Sequence, residues 1–233
     1  MVEDDSGVET DARAVLMSLP FSPDAFFDVF AQYNRALWPN VVTLWLAAAL
    51  GLAAVALLGP HRHADLAATA LLVALWSWSG AVYHAGYFTA INPAAWIFAA
   101  GFLAEAGLLA WWGGVRRQLS FGSASRAARI GGIGLGLYAL AYPALSAGLG
   151  HPYPMTPTFG VPCPTTIFTV ALLLTCDRPP SIVAIVPLVW SVIGGSASLF
   201  LGVPTDYVLL ACAPVLAGRV VLAGRVPVRW RTS

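Results

Sequence analysis

Few side chains in this sequence can do chemistry, and most of them stand at the edges of long apolar runs. Tyr83 and His84 close the second run, and Asn92 precedes the third. His151 follows the fourth, Cys163, Thr165 and Thr166 stand at the start of the fifth, and Asp206 opens the last. Imidazole and thiolate are ligands for soft metals, so His84, His151 and Cys163 form one candidate metal set. They come from separate segments with no local spacing motif. Taken together, Tyr83, His84, Asn92, His151, Cys163, Thr165, Thr166 and Asp206 form a candidate vestibule for an ion or small solute. The competing reading makes them capping and interfacial groups that satisfy helix ends.

Glu105 is a separate case, the one acid well inside an apolar run. A carboxylate at membrane depth is costly and points to function. It is a candidate proton carrier. The alternatives are support by hydroxyls of a facing helix, or pairing with Arg116 or Arg117. There is no HExxH, no GxSxG and no paired-carboxylate motif, so no catalytic residue is assigned. No cofactor is expected beyond a metal ion at the set above. His61 and His63 flank Arg62 and read as solvated.

These groups are set in an apolar chain. Of 233 residues, 58% are hydrophobic and 10% are charged, against about 25% charged in soluble domains. So little polar surface cannot cover a water-facing globule, and lipid must serve as part of the solvent. The net charge of +1 gives no footing for nucleic acid. Cys163, Cys176 and Cys212 are too few and scattered for a disulfide framework. There is no lysine, which excludes a retinal-type Schiff base.

Hydropathy divides the chain into an acidic tail (1–19), an amphipathic helix (20–37), a transmembrane bundle (38–223) and a basic tail (224–233). The acidic start lacks the basic-then-apolar order of a cleavable leader. Ser22 and Pro23 suit a helix start, and Phe26, Phe27, Phe30, Tyr33 and Leu37 recur at helical spacing. That helix is expected to lie on the membrane surface or to dock on the bundle. Seven spans follow, over 37–59, 66–88, 93–114, 130–149, 164–176, 181–201 and 205–222. The fifth is too short to cross alone. It becomes long enough only if the proline-rich stretch "HPYPMTPTFGVPCPTT" (151–166) dips into the bundle at 157–164; the alternative is a surface lid. Gly132 and Gly136, and the string "GGSAS" at 194–198, permit close helix approach. Trp38, Trp96, Trp111 and Trp112 fall near span ends, as an aromatic belt would.

The fold class expected is therefore an all-α integral membrane protein of about seven transmembrane helices with an N-terminal amphipathic interfacial helix. Seven crossings put ten arginines on one side (Arg62, Arg116, Arg117, Arg126, Arg129, Arg178, Arg219, Arg225, Arg229 and Arg231) and only Arg13 and Arg35 on the other. The positive-inside rule then places the N-terminus outside and the C-terminus in the cytoplasm, in a multi-pass protein of the inner (plasma) membrane. Its expected partners are the lipid bilayer and a small solute or ion, and a homo-oligomer is compatible with this size.

The pieces "FFDVFAQYN…WP" (26–39), "WSWSGAVYHAGYFTAINPAA" (76–95), "YP" (142–143), "GHPYPMTPTFGVPCPTTIFT" (150–169) and "GVPTD" (202–206) resemble a bacterial and archaeal family of small multi-span membrane proteins of unknown function. The resemblance implies a shared fold and assigns no catalytic residue. Transport, channel activity or solute binding is the leading expectation. The alternatives are a membrane-embedded metal-dependent enzyme and a structural or assembly factor of the envelope.

The odd number of crossings is directly testable. Alkaline phosphatase fused after Met155 should be active and a fusion after Ser233 inactive; an active fusion after Ser233 would overturn the topology.

Overall fold

The structure is a computed structural model that describes residues 20–225, with side chains to Val221. The acidic tail (1–19) and residues 226–233 of the basic tail lie outside the described residues. Eight α-helices are described: α1 Pro23–Leu37, α2 Asn40–Leu58, α3 Arg62–Trp78, α4 Ala95–Leu109, α5 Arg126–Gly148, α6 Pro162–Leu174, α7 Ile185–Leu201 and α8 Tyr207–Arg225. No strand is present among the described residues. Helix α3 continues through a π-helical turn, Ser79–His84, and α4 through another, Ala110–Val115.

Six helical stretches are long and apolar enough to cross a membrane: Asn40–Leu58, Arg62–Ala90, Ala95–Val115, Arg126–Gly148, Ser181–Leu201 and Pro204–Val221. They show Leu57, Ile97 and Leu50 on their outer faces, the surface that lipid would cover. Trp38, Trp96 and Trp111, from the expected aromatic belt, are also exposed.

The helix expected to be short is short. Helix α6 has 13 residues, a rise of only about 20 Å. Every residue from Pro162 to Leu173 except Cys163 is buried, as suits a helix that is apolar all round. It is sheathed by α5 and α8, with α7 and α3 also in contact. The chain that leads into it, Thr156–Val161, is non-helical and buried throughout. The proline-rich segment thus enters the bundle, and the surface-lid alternative fails for these residues.

Helix α1 docks on protein. Ser22 caps it by accepting from the Ala25 N–H, as expected. Its apolar stripe, Phe26, Phe27, Val29, Phe30 and Tyr33, packs with Tyr83, Phe88, Val161, Leu201 and Val203. The expectation of a lipid-facing interfacial helix is corrected on this point: the aromatic face is covered by the bundle. Asp24, Asp28 and Arg35 remain exposed.

The helix ends gather in two layers. In one, the Phe121 N–H donates to Asp65 (2.8 Å), the Ala124 N–H to the Thr175 carbonyl (2.9 Å) and the Arg219 Nε to the Cys176 carbonyl (3.1 Å). Gly122 packs against Gly59 and Pro60 in the same layer. Arg62, Arg116, Arg117, Arg126, Arg129 and Arg178 belong to these same turns and helix ends. Among the described arginines, only Arg35 belongs to the other layer, which holds α1, the start of α6 and Asp206.

Small residues set the spacing between helices, but not as one seam. An added Cβ at Gly132 would meet the Ala171 carbonyl oxygen of α6 at 2.6 Å, whereas one at Gly136 would meet Leu52 of α2 at 2.7 Å. The two glycines of the GxxxG pair therefore serve different neighbours. Gly131→Ala, with nothing within 4 Å of its new Cβ, is the internal control. Gly132→Ala should lower thermal stability in detergent by about 1–3 kcal/mol, while Gly131→Ala leaves it unchanged or slightly raised. Equal effects would refute the close α5–α6 contact.

Candidate functional site

The site is built where the three irregular stretches meet. The π-turn Ser79–His84 interrupts α3 and turns consecutive residues, Tyr83 and His84, into the bundle; both are buried. Such turns often mark functional positions. Gly80 allows the turn to lie against α4, since a Cβ there would stand 3.0 Å from the Ala99 carbonyl oxygen. The start of α6 brings Cys163, and the 3-10 turn Pro204–Asp206 brings Asp206. Helix α1 closes the arrangement from above with Phe26 and Phe30.

Between these elements lies a cavity of about 130 Å³. Tyr83, His84, Asn92, Cys163 and Asp206 all line it, together with Trp190, Ser198 and a set of phenylalanines. Five of the eight expected vestibule residues therefore converge. Its wall is aromatic, which corrects the expectation of a polar vestibule. A larger groove of about 400 Å³ opens between α2 and α5, lined by Trp38, Trp45, Tyr153 and neighbours, but no charged side chain reaches it.

His84 sits in a box of rings. Its centroid lies 4.7 Å from Phe102, 5.1 Å from Trp190, 5.4 Å from Tyr83, 5.7 Å from Phe98 and 5.9 Å from Phe88. The imidazole is wholly buried, and neither ring nitrogen has a hydrogen-bond partner. The Trp190 indole N–H is also unpartnered. Asp206 is buried and accepts from the Tyr142 hydroxyl at 2.5 Å. Cys163 lies beside it. Asn92 accepts from the Ala94 N–H at 3.1 Å and so does cap a helix start, even as it lines the cavity.

The remaining candidates are elsewhere. His151 stacks face to face on Phe27, with centroids 4.0 Å apart, on the far side of α1's aromatic row; partial burial lowers its pKa from the ordinary histidine value. Thr165 and Thr166 are buried in the helix core, with both hydroxyls unpartnered, and neither lines the cavity. The metal set is not assembled. Among the described residues no group of three His, Cys, Asp or Glu side chains is placed to hold a metal ion; His151 is committed to the Phe27 stack while His84 is enclosed by rings.

Glu105 is fully buried, and both carboxylate oxygens lack a partner. Neither expected alternative holds, since it bonds to no hydroxyl and makes no ion pair with Arg116 or Arg117. It lies three residues past Phe102, about one helical turn deeper than the His84 box.

Sequence reasoning missed the residues that hold the site in shape. Asn34 of α1 is wholly buried. Its side-chain amide donates to the carbonyls of Pro154 (2.6 Å) and Thr156 (2.8 Å), and its oxygen accepts from the Thr158 hydroxyl (2.7 Å). The Tyr33 hydroxyl accepts from the Trp78 indole at 2.7 Å and donates toward the Phe159 carbonyl at 3.4 Å. Burial raises its pKa, so it stays a donor. Gly160, at φ +92°, passes so close beneath that an added Cβ would stand 2.6 Å from that hydroxyl. An asparagine within an otherwise aromatic helical stripe was the available signal.

A helical bundle with six helices long and apolar enough to cross a membrane and one buried, partly irregular segment fits a polytopic membrane protein. The chain belongs to the family DUF6064, described as a family of unknown function, whose model matches residues 23–228. Neither a search of the curated proteins nor one of the solved structures returned a match.

Asn34→Ala should strand the buried Thr156 carbonyl, the half-buried Pro154 carbonyl and the Thr158 hydroxyl. The expected loss is about 3 kcal/mol of stability, with faster proteolysis between Pro152 and Val161. Unchanged cleavage there would show that α1 does not hold the segment.

Proposed function

We propose that this protein is a solute-binding and transport protein of the inner (plasma) membrane, with its site open toward the extracytoplasmic side. The carrying observation is the aromatic cavity, whose wall includes a buried histidine with no protein partner. Both nitrogens of His84 are without a hydrogen bond, at a cost of about 1–3 kcal/mol for each unsatisfied group. A ligand that supplies a hydrogen bond there recovers part of it. Its size is similar to that of an engineered cavity of about 150 Å³ that admits benzene. The occupant is accordingly small and mostly apolar, with at least one polar group.

Orientation follows from charge. The arginine-bearing layer suits the cytoplasmic side under the positive-inside rule, which leaves the cavity and α1 outside. Helices α2, α4, α6 and α8 all start in the cavity layer, so their positive dipole ends face it. A broken, buried segment beside a binding site is a recurring feature of secondary transporters. Glu105, deeper and equally unpartnered, is the residue to carry a proton coupled to solute movement.

Reconstitution in liposomes tests this. A panel of small amines, alcohols and carboxylic acids should include a solute that raises thermal stability and is taken up. His84→Phe, which keeps a ring but removes both nitrogens, should weaken its binding about tenfold, the effect of one hydrogen bond of about 1.4 kcal/mol. Glu105→Gln should leave binding intact and abolish proton-coupled uptake. A panel with neither stabilisation nor flux would sink the proposal.

A further inference from the structure

We infer that the cavity selects a small organic monocation, an amine or quaternary ammonium group, through Asp206 and the surrounding rings. The inference rests on the reading of the cavity as a solute site and adds the ligand's charge.

Asp206 carries the argument. The Tyr142 hydroxyl meets its Oδ1 at 2.5 Å, the length of a bond from a hydroxyl to an ionised carboxylate. Yet Asp206 is buried and takes part in no salt bridge among the described residues. The ion pairs found join Asp177 to Arg178 and Arg219, in the opposite layer. An isolated buried carboxylate is strongly disfavoured unless a cation accompanies it. No described residue places one there, and Asp206 is among the residues that line the cavity. A bound cation supplies the missing charge.

The wall decides which cation. Phe26, Phe30, Tyr83, Phe88, Phe98 and Trp190 line the same space. Aromatic rings attract ammonium groups, and quaternary ammonium ligands are held in such cages. A hard inorganic cation needs about six oxygen ligands in place of its water. Here only Asp206, Asn92, Ser198 and Tyr83 among the lining residues carry a side-chain oxygen, and the rest of the wall is rings, aliphatic groups and Cys163. An organic cation keeps its charge inside a skeleton that the rings can pack against. A single carboxylate matches a single positive charge, and the volume of about 130 Å³ restricts the skeleton to a few carbons around it.

Two matched pairs on the purified full chain test the charge separately from the shape. Choline and 3,3-dimethylbutan-1-ol differ by nitrogen against carbon at the branched centre; benzylamine and benzyl alcohol form the second pair. Calorimetry should show choline or benzylamine binding at least about tenfold more tightly than its neutral partner. Asp206→Asn, which still accepts from Tyr142, should erase that preference, while Asp177→Asn, in the opposite layer, should keep it. The wild-type comparison stands even if the asparagine variant fails to fold. If the neutral partners bind equally or better, the cation inference is overturned and the solute-site reading survives. If no member of either pair binds, this inference fails, and a blank result across the wider solute panel would remove the solute site as well.

Discussion

Backbone polar groups at membrane depth have no water to turn to, so protein must satisfy them. The arrangement of this molecule follows from that constraint at one place. The chain between Thr156 and Val161 is not helical, yet it is buried. It can stay there because Asn34 donates to two carbonyls of its neighbourhood and accepts from a threonine hydroxyl, and the Tyr33 hydroxyl donates toward the carbonyl of Phe159. Helix α1 is thus the polar scaffold of the broken segment as well as an apolar cover. Proline contributes by subtraction: Pro157 and Pro162 bring no N–H that would need a partner. With the segment fixed, α6 starts deep enough to present Cys163 to the cavity, and its 13 residues suffice to reach the arginine-bearing layer.

Satisfaction of the broken segment contrasts with what is left open around it. His84, Trp190, Glu105, Thr165 and Thr166 all keep buried polar atoms without partners. A bundle evolved only for stability would replace such groups by carbon, since unsatisfied buried polar atoms are costly. Their position is uneven: the imidazole and the indole meet at the cavity, and the carboxyl of Glu105 lies about a turn beyond Phe102. The groups that shape the cavity are bonded, whereas several that face it or lie beneath it are not.

Several particulars were legible from the sequence. Ser22 and Pro23 marked the start of α1, the apolar runs marked the spans, and the shortness of the fifth run required irregular chain to complete it. Tyr83, His84, Asn92, Cys163 and Asp206 fell at run ends, and four run ends in one layer have little room to stay apart. The metal set failed for a reason invisible in one dimension. His151 and His84 belong to the same layer, but an aromatic helix lies between their environments and engages His151 through Phe27. The polar character expected of the vestibule failed likewise, because the phenylalanines that form its wall come from α1 and the chain just before it, the turn Phe88–Ala90 and α4, each of which read separately as ordinary apolar surface.

The sequence by itself determined that the chain is too apolar for a water-covered globule, which runs are long and apolar enough to cross a membrane and which one is too short, and that cationic charge gathers at alternate turns. These depend on composition and order along the chain: hydropathy, helix length and arginine position are local properties. Only the tertiary structure decided which polar groups go unsatisfied, which ring faces which, and that Asp206 is buried without a counter-charge among the described residues. Those are properties of contacts between residues far apart in the chain, such as Tyr142 with Asp206 and Asn34 with Thr158, and no local pattern encodes the partner of a side chain.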